Sequence, residues 1–302
     1  MKNILLIGGT GFVGGAVARE IARRPGGAAC RLTLPTRRRE RCKHLATLPT
    51  ADVVDADVHD PATLARLMAG HDAVISLVGV LKGGEGDPYG AGFARAHAEL
   101  PAKIAAAAQS AGVRRVIHVS ALKAAADAPS GYLRSKAAGE AALCVPGLDV
   151  TVFRPSVIFG RGDSFLTLFA RMAAVAPFFP LACAGARFQP VWVGDVAACV
   201  ADALDRSDSI GRAYDLCGPT AYALRDLVAY AAATAGHPRA VFGIPDAVAW
   251  LQAWAMEAIP NGPMTRDNIR SMRLDSVCDA GCALPFGRVA TPLEQVAPGY
   301  LR

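Results

Sequence analysis

The chain has 302 residues, 52% of them hydrophobic and 19% charged, with a formal charge of +6. This balance excludes a disordered tail and a collagen-like repeat, and the length allows one α/β unit with an appended part. The positive charge and a pI near 9.0 admit nucleic acid, a membrane surface or an anionic ligand, but the most basic run, TRRRERCKH at 36–44, lacks interleaved aromatics and matches no DNA-reading motif, so nucleic acid is not expected.

Short apolar runs alternate with longer amphipathic ones through the first half. In chain order we expect a strand at NILLI, a helix over 12–24, a strand at RLTLPT, a short helix, a strand at DVVDADV and a helix over 61–69. The strand AVISLVG, a helix over 92–112, the strand RRVIHVS, a helix over 131–143 and the strand DVTVFRP follow. Such alternation predicts an α/β, Rossmann-type, doubly wound parallel sheet with helices on both faces.

After residue 160 the pattern loosens, with helices expected near 164–174, 195–205, 223–236, 246–258 and 265–272. We therefore expect a dinucleotide-binding domain over 1–160, its sheet completed by parts of 189–217, and a smaller, mostly helical lobe for substrate or partner interleaved over 161–302. The apolar stretch at 165–186 is interrupted by Arg171 and two prolines and is not expected to span a membrane.

GGTGFVGG, residues 8–15, follows the first strand and opens a helix. Gly8 permits a tight turn, Gly11 lets backbone approach a pyrophosphate, and Gly14 lets the helix pack closely; Thr10, Phe12 and Val13 complete the loop at a helix N-terminus that favours an anion. After the second strand stand Thr36, Arg37 and Arg38, with no acid before Glu40. Guanidinium forks suit the 2′-phosphate of NADP(H), so NADP(H) is expected ahead of NAD(H), although the same arginines also read as a solvated basic helix start. Asp57 and Val58 are read as ending the third strand, beside adenine, with Asp57 otherwise capping the helix at Pro61. Val78 and Gly79, in SLVG, would run beneath the cofactor.

Ser120 ends the fifth strand, and SGYLRSKAAGE follows, with Tyr132 and Lys136 one helical turn apart on one face. A phenol of pKa about 10 is a poor base at neutral pH, and a nearby ammonium favours its phenolate. The glycine loop, the acid after strand three, the serine and YxxxK together resemble the short-chain dehydrogenase/reductase superfamily. AVISLVGVL, RRVIHVSAL, TVFRPSVIFGRGDSF, RFQPVWVGDVA and TPLEQVAPGYLR look like its atypical branch, typified by the NADPH-binding accessory subunit family of respiratory complex I, with bacterial relatives and fungal ones linked to coenzyme Q biosynthesis.

The resemblance implies Tyr132 as acid/base, Lys136 on the phenol and the ribose, Ser120 on a substrate oxygen, and Pro155, Ser156 and Val157 along the nicotinamide. Two departures stand out: Ser76 replaces an asparagine of the NxxG segment, and His97 occupies the position of a proton-relay asparagine, as a relay or as a buried structural residue. Arg154 reads as structural, Asp195 as a helix N-cap and Arg187 as part of the lobe interface. The loop over 81–93 reads either as a closing flap or as a floppy connection, and Trp250, Leu251 and Trp254 as helix core ahead of an apolar docking patch.

Eight cysteines are scattered along the chain with no secretory signal before them, so isolated thiols in a cytoplasmic protein are expected, with peripheral placement at the inner membrane face as a variant. No metal is expected, since no histidine accompanies Cys278 and Cys282. The leading reading is an NADP(H)-dependent oxidoreductase acting on a carbonyl, enone or quinone-like metabolite. Its alternative is an NADPH-holding scaffold or assembly protein for a respiratory or quinone-synthesis complex, and Arg37 and Arg38 disfavour a nucleotide-sugar epimerase.

Overall fold

A computed structural model describes residues 2–42, 45, 47–259, 262–279 and 282–302. Strands β1 (Lys2–Ile7), β2 (Cys30–Thr36), β3 (Ala51–Asp55), β4 (Ala73–Ser76), β5 (Arg115–Val119) and β6 (Asp149–Pro155) join a strand over Arg212–Leu216 in one sheet. From one edge the order is Arg212–Leu216, β6, β5, β4, β1, β2, β3, every pairing parallel. The order reverses between β1 and β4, and open sheets of this kind bind ligands at that switch point, outside the carboxyl ends of the strands.

Both faces of the sheet are covered, which is why its strands read as near-continuous apolar runs. Ile4, Leu6, Ile117 and Phe153 pack on one side against α1 (Phe12–Arg23) and the helix Val193–Ala203. Leu5, Ile7, Val116 and Val152 pack on the other side, against α2 (Pro61–Met68) and the helix that follows β4. That helix is not the uniform run expected over 92–112: it is α3 (Ala91–Phe93), a π turn over Ala94–Glu99 and α4 (Leu100–Ala111). The next helix, α5 (Gly131–Leu143), follows β5.

Beyond β6 the chain forms helices over Leu166–Val175, Leu224–Thr234, Asp246–Glu257 and Arg266–Ser271, with short strand pairs between them. Several local readings change. β3 ends at Asp55, so Asp57 and Val58 lie past it, and Asp60, not Asp57, caps α2 by accepting the Thr63 N–H at 2.9 Å. Asp195 lies inside the first turn of its helix, where its carboxylate accepts from the Thr291 N–H and hydroxyl at 2.7 and 3.0 Å. Arg154 pairs with Glu140 and ties β6 to the end of α5.

Cys217 and Cys278 form a disulfide, against the expectation of isolated thiols. The parallel strand Arg212–Leu216 delivers Cys217 to the rim where Gln189 holds Cys278 N–H at 3.0 Å, a meeting that a sequence separation of 61 conceals. No described helix is long and apolar enough to cross a membrane, and no group of metal-ligating side chains forms among the described residues. Trp250 packs against Ala249, Ala253 and Ile269, but Leu251 and Trp254 are 63% and 60% exposed, so only part of that trio belongs to the core.

A close helix contact lies at Gly139 of α5, where an added Cβ would lie 2.1 Å from the His97 carbonyl oxygen. Backbone meets backbone there, so neither side can yield cheaply. Gly139→Ala is expected to lower stability by about 1–3 kcal/mol through overpacking, read as a reduced urea midpoint.

Candidate active site

The sheet register draws the sequence-predicted residues onto one rim. Ile7 pairs with Ser76 and Ser76 with His118, while Val119 pairs with Phe153, so the segments after β1, β4, β5 and β6 emerge side by side. Gly8 turns with φ +84°, a conformation in which a side chain is strained, and an added Cβ would lie 3.0 Å from the Leu77 carbonyl carbon and 3.1 Å from the Val78 nitrogen. At Gly14 an added Cβ would meet the Gly8 carbonyl oxygen at 2.2 Å, so the loop and α1 close on each other as the glycine spacing predicts.

Gly11 is the N-cap of α1 and carries no side-chain cap, which leaves the N–H groups of the first turn, at Phe12, Val13 and Gly14, available to an anion. Thr10 sits in the turn before them. Arg37 and Arg38 are exposed immediately past β2, and Thr36 Oγ1 accepts the Arg38 N–H at 3.2 Å. Asp57 Oδ1 accepts the His59 N–H at 3.0 Å, and Val58 packs beside the apolar cluster under α2. The glycine cradle, a free helix terminus and two exposed guanidinium groups fit a dinucleotide.

On the other side of the switch point, Lys136 is 3% exposed and its Nζ donates to the Val119 carbonyl at 2.8 Å. The next residue, Ser120, is 4% exposed, and its Oγ has no hydrogen-bond partner among the described residues. Tyr132, one turn earlier on α5, lies edge-on to Phe93 and His97 at centroid distances of 6.0 and 5.5 Å. Burial pushes the phenol up to about 12 and the Lys136 ammonium down to about 8, the latter opposed in part by Glu140. Pro155 accepts the Leu122 N–H at 2.9 Å through its carbonyl, Ser156 Oγ bonds Ser276 O at 2.7 Å, and the Val157 carbonyl accepts Val191 N–H at 3.0 Å.

His97 resolves its two readings through its bonds. The Val80 N–H donates to Nε2 at 2.9 Å, so Nε2 carries no proton, and Nδ1–H must donate to Ser135 Oγ, also at 2.9 Å. Ser135 then gives its hydroxyl proton to the Tyr132 carbonyl at 2.7 Å. Every donor has one acceptor, which leaves the imidazole neutral and no ring nitrogen for a relay. Gly79 lies beside this ring, its added Cβ reaching only 4.0 Å from Nε2.

Several partners were not visible in the sequence. Asp267, 5% exposed, accepts the N–H of Gly131 at 2.7 Å and of Tyr132 at 3.0 Å. Arg270 Nη1 donates to both Glu85 carboxylate oxygens, at 3.0 and 2.9 Å, and the guanidinium lies over the Trp250 ring. Lys82 bonds the Gly262 carbonyl and Arg134 the Pro88 carbonyl, so the 81–93 loop is held at its start and middle, unlike a floppy connection. Only Ser135 carried a signal, a small hydroxyl inside YLRSK on the turn between Tyr132 and Lys136.

A parallel sheet with a glycine cradle at its switch point and a Tyr/Lys helix beside a strand-end serine defines a Rossmann-type nucleotide-binding protein of short-chain dehydrogenase design. The chain belongs to the NAD(P)H-binding family, whose model matches residues 8–164. It is 35% identical over 176 residues, covering 58% of this chain and 45% of the relative, to the rat mitochondrial NADH dehydrogenase [ubiquinone] 1 alpha subcomplex subunit 9. It is 30% identical over 195 residues to the ceramide reductase of Caulobacter vibrioides, covering 65% of this chain and 58% of that one. The chain thus spans about half the length of these relatives. The NADPH-dependent quinone oxidoreductase QOR2 of Escherichia coli, solved with NADPH, shares the fold with a TM-score of 0.77 at 20% identity, over 99% of this chain and 100% of that one.

Burial and the Lys136 charge hold His97 at about 3, well below its ordinary 6.5. The unfolded chain therefore binds a proton in this interval that the native state refuses, and stability falls as pH drops from 6.5 toward 3. The expected slope from this residue is about 1.4 kcal/mol per pH unit. Urea titrations at pH 7, 6 and 5 are expected to show that component in the wild type and to lack it in His97→Gln.

Proposed function

We propose that this chain is an NADP(H)-dependent reductase of a carbonyl, enone or quinone-like group on an apolar molecule. The carrying observation is the convergence of Lys136, bonded to Val119 O, with the unpartnered buried hydroxyl of Ser120 and with Tyr132 one helical turn away. The glycine loop would hold the pyrophosphate, Arg37 and Arg38 the 2′-phosphate, and Asp57 and Val58 the adenine. Val78, Gly79, Pro155, Ser156 and Val157 would border the nicotinamide, which when bound supplies or accepts hydride.

Ser120 Oγ donates to the substrate oxygen, satisfying a hydroxyl otherwise buried without a partner. Tyr132 gives its phenolic proton to that oxygen as negative charge builds there, and the Lys136 ammonium stabilises the phenolate left behind. An apolar substrate is in keeping with the relative named as a ceramide reductase.

A second reading has its own support. His97, neutral and with both ring nitrogens engaged, offers no relay, an arrangement that also suits a holder of NADPH. On this reading the chain is a component of a respiratory assembly, as the rat relative's name describes for that protein.

Absorbance-followed NADPH oxidation with apolar ketones, enones and short-chain quinones separates the two. Turnover is expected, with Tyr132→Phe lowering kcat by about 10²–10⁴-fold while NADPH still binds; NADPH-loaded protein that turns over nothing would reverse the preference. Replacing both Arg37 and Arg38 by Ser removes charge-assisted bonds of about 1.5–3 kcal/mol each. NADPH binding is expected to weaken at least tenfold and NADH binding to stay level, as measured by titration calorimetry.

A further inference from the structure

We infer that Asp267 is the positioning residue for Tyr132: a carboxylate from the far end of the chain grips the first turn of α5 and sets where the phenol points. The inference rests on the assignment of Tyr132 as acid/base and adds the group that orients it.

A helix begins with N–H groups that its own backbone cannot satisfy. In α5 each has an identified acceptor. The Gly131 N–H goes to Asp267 Oδ1 and the Tyr132 N–H to Asp267 Oδ2, at 2.7 and 3.0 Å, while Leu133 N–H goes to Ser130 Oγ at 3.2 Å and Arg134 N–H to the Ser130 carbonyl at 3.1 Å. Ser130 alone would make an ordinary N-cap. The second, bidentate acceptor comes from a residue 136 positions downstream of Gly131 and is itself buried at 5% exposure. Burying a carboxylate carries a large desolvation cost unless its oxygens are bonded and a cation is near. Asp267 has the two N–H donors and Arg270, 3.8 Å away.

The grip acts on the residue that carries the phenol. Tyr132 is fixed through its carbonyl by Ser135 and through its N–H by Asp267, so both of its peptide groups are held by side chains. Asp267 also belongs to a helix with other attachments. Thr265 and Asn268 close a capping box at its start, and Arg270 reaches Glu85 on the loop that leads into Phe93 and His97. One short helix thereby ties the tyrosine's backbone to the loop that precedes α3.

The test compares Asp267→Ala, which removes both acceptors, with Asp267→Asn, which keeps the size and one acceptor oxygen. Ile269→Val trims a buried side chain on the same helix, packed with Ala182, Ala249 and Ala253, and serves as the stability control. In NADPH oxidation, kcat is expected to fall more than tenfold in Asp267→Ala and by a smaller factor in Asp267→Asn, with KM for NADPH within twofold of wild type and Ile269→Val unchanged.

The second readout needs no turnover. In protein labelled with 3-fluorotyrosine, the Tyr132 fluorine signal, assigned by its loss in Tyr132→Phe, is expected to move or split in Asp267→Ala, and amide exchange at 131 and 132 to quicken by at least tenfold. An unchanged fluorine signal with unchanged exchange overturns the inference, as does a normal kcat in an Asp267→Asn protein whose signal has moved. If the wild type turns over no acceptor, the reductase reading fails, and the fluorine and exchange data alone decide whether Asp267 positions the tyrosine.

Discussion

A buried imidazole with one permitted direction of hydrogen bonding holds this site together. Val80 N–H to His97, His97 to Ser135 and Ser135 to the Tyr132 carbonyl form a chain in which reversing any member would leave a donor facing a donor. The chain joins the segment after β4, the π turn and α5, which are distant in sequence and adjacent at the switch point. A π turn widens the helix locally and is frequent at functional sites; here it presents His97 to α5 across the close approach at Gly139.

The same region concentrates desolvation. Lys136, His97, His118 and Ser120 are all nearly inaccessible, and burial shifts both histidines toward the neutral form and the lysine toward losing its proton. Such a cluster is expensive for stability alone, and perturbed groups gathered at the rim of a parallel sheet are characteristic of functional sites. The lysine offsets part of its cost by bonding Val119, and that bond also presses α5 against the end of β5, where Ser120 begins.

The parallel sheet, the glycine loop and the extent of α5 were legible because each rests on a local pattern: apolar runs with a period, glycines at fixed intervals, a serine ahead of a helical stretch. The end of β3 was misjudged because DVVDADV stays apolar and alternating past the point where pairing with β2 stops at Thr36 and Asp55. Asp267, Glu85 and the Cys217–Cys278 pair were invisible for one physical reason. Each meets its partner only after separate segments fold onto a shared rim, and no spacing along the chain encodes such a meeting. His97 was located by position, but its role depended on the Val80 N–H and Ser135, whose orientations only the fold supplies.

The strand Arg212–Leu216 completes the sheet from beyond the helix Leu166–Val175, pairing with β6 from Thr151 to Pro155. During synthesis β6 emerges some fifty residues before the strand that covers it, and until then it presents an open row of backbone donors and acceptors. Such an edge is a template for pairing with a foreign strand. The nascent chain thus carries an open edge prone to aggregation in the interval between two steps of its own translation, a vulnerability that the finished sheet no longer displays on that side of β6.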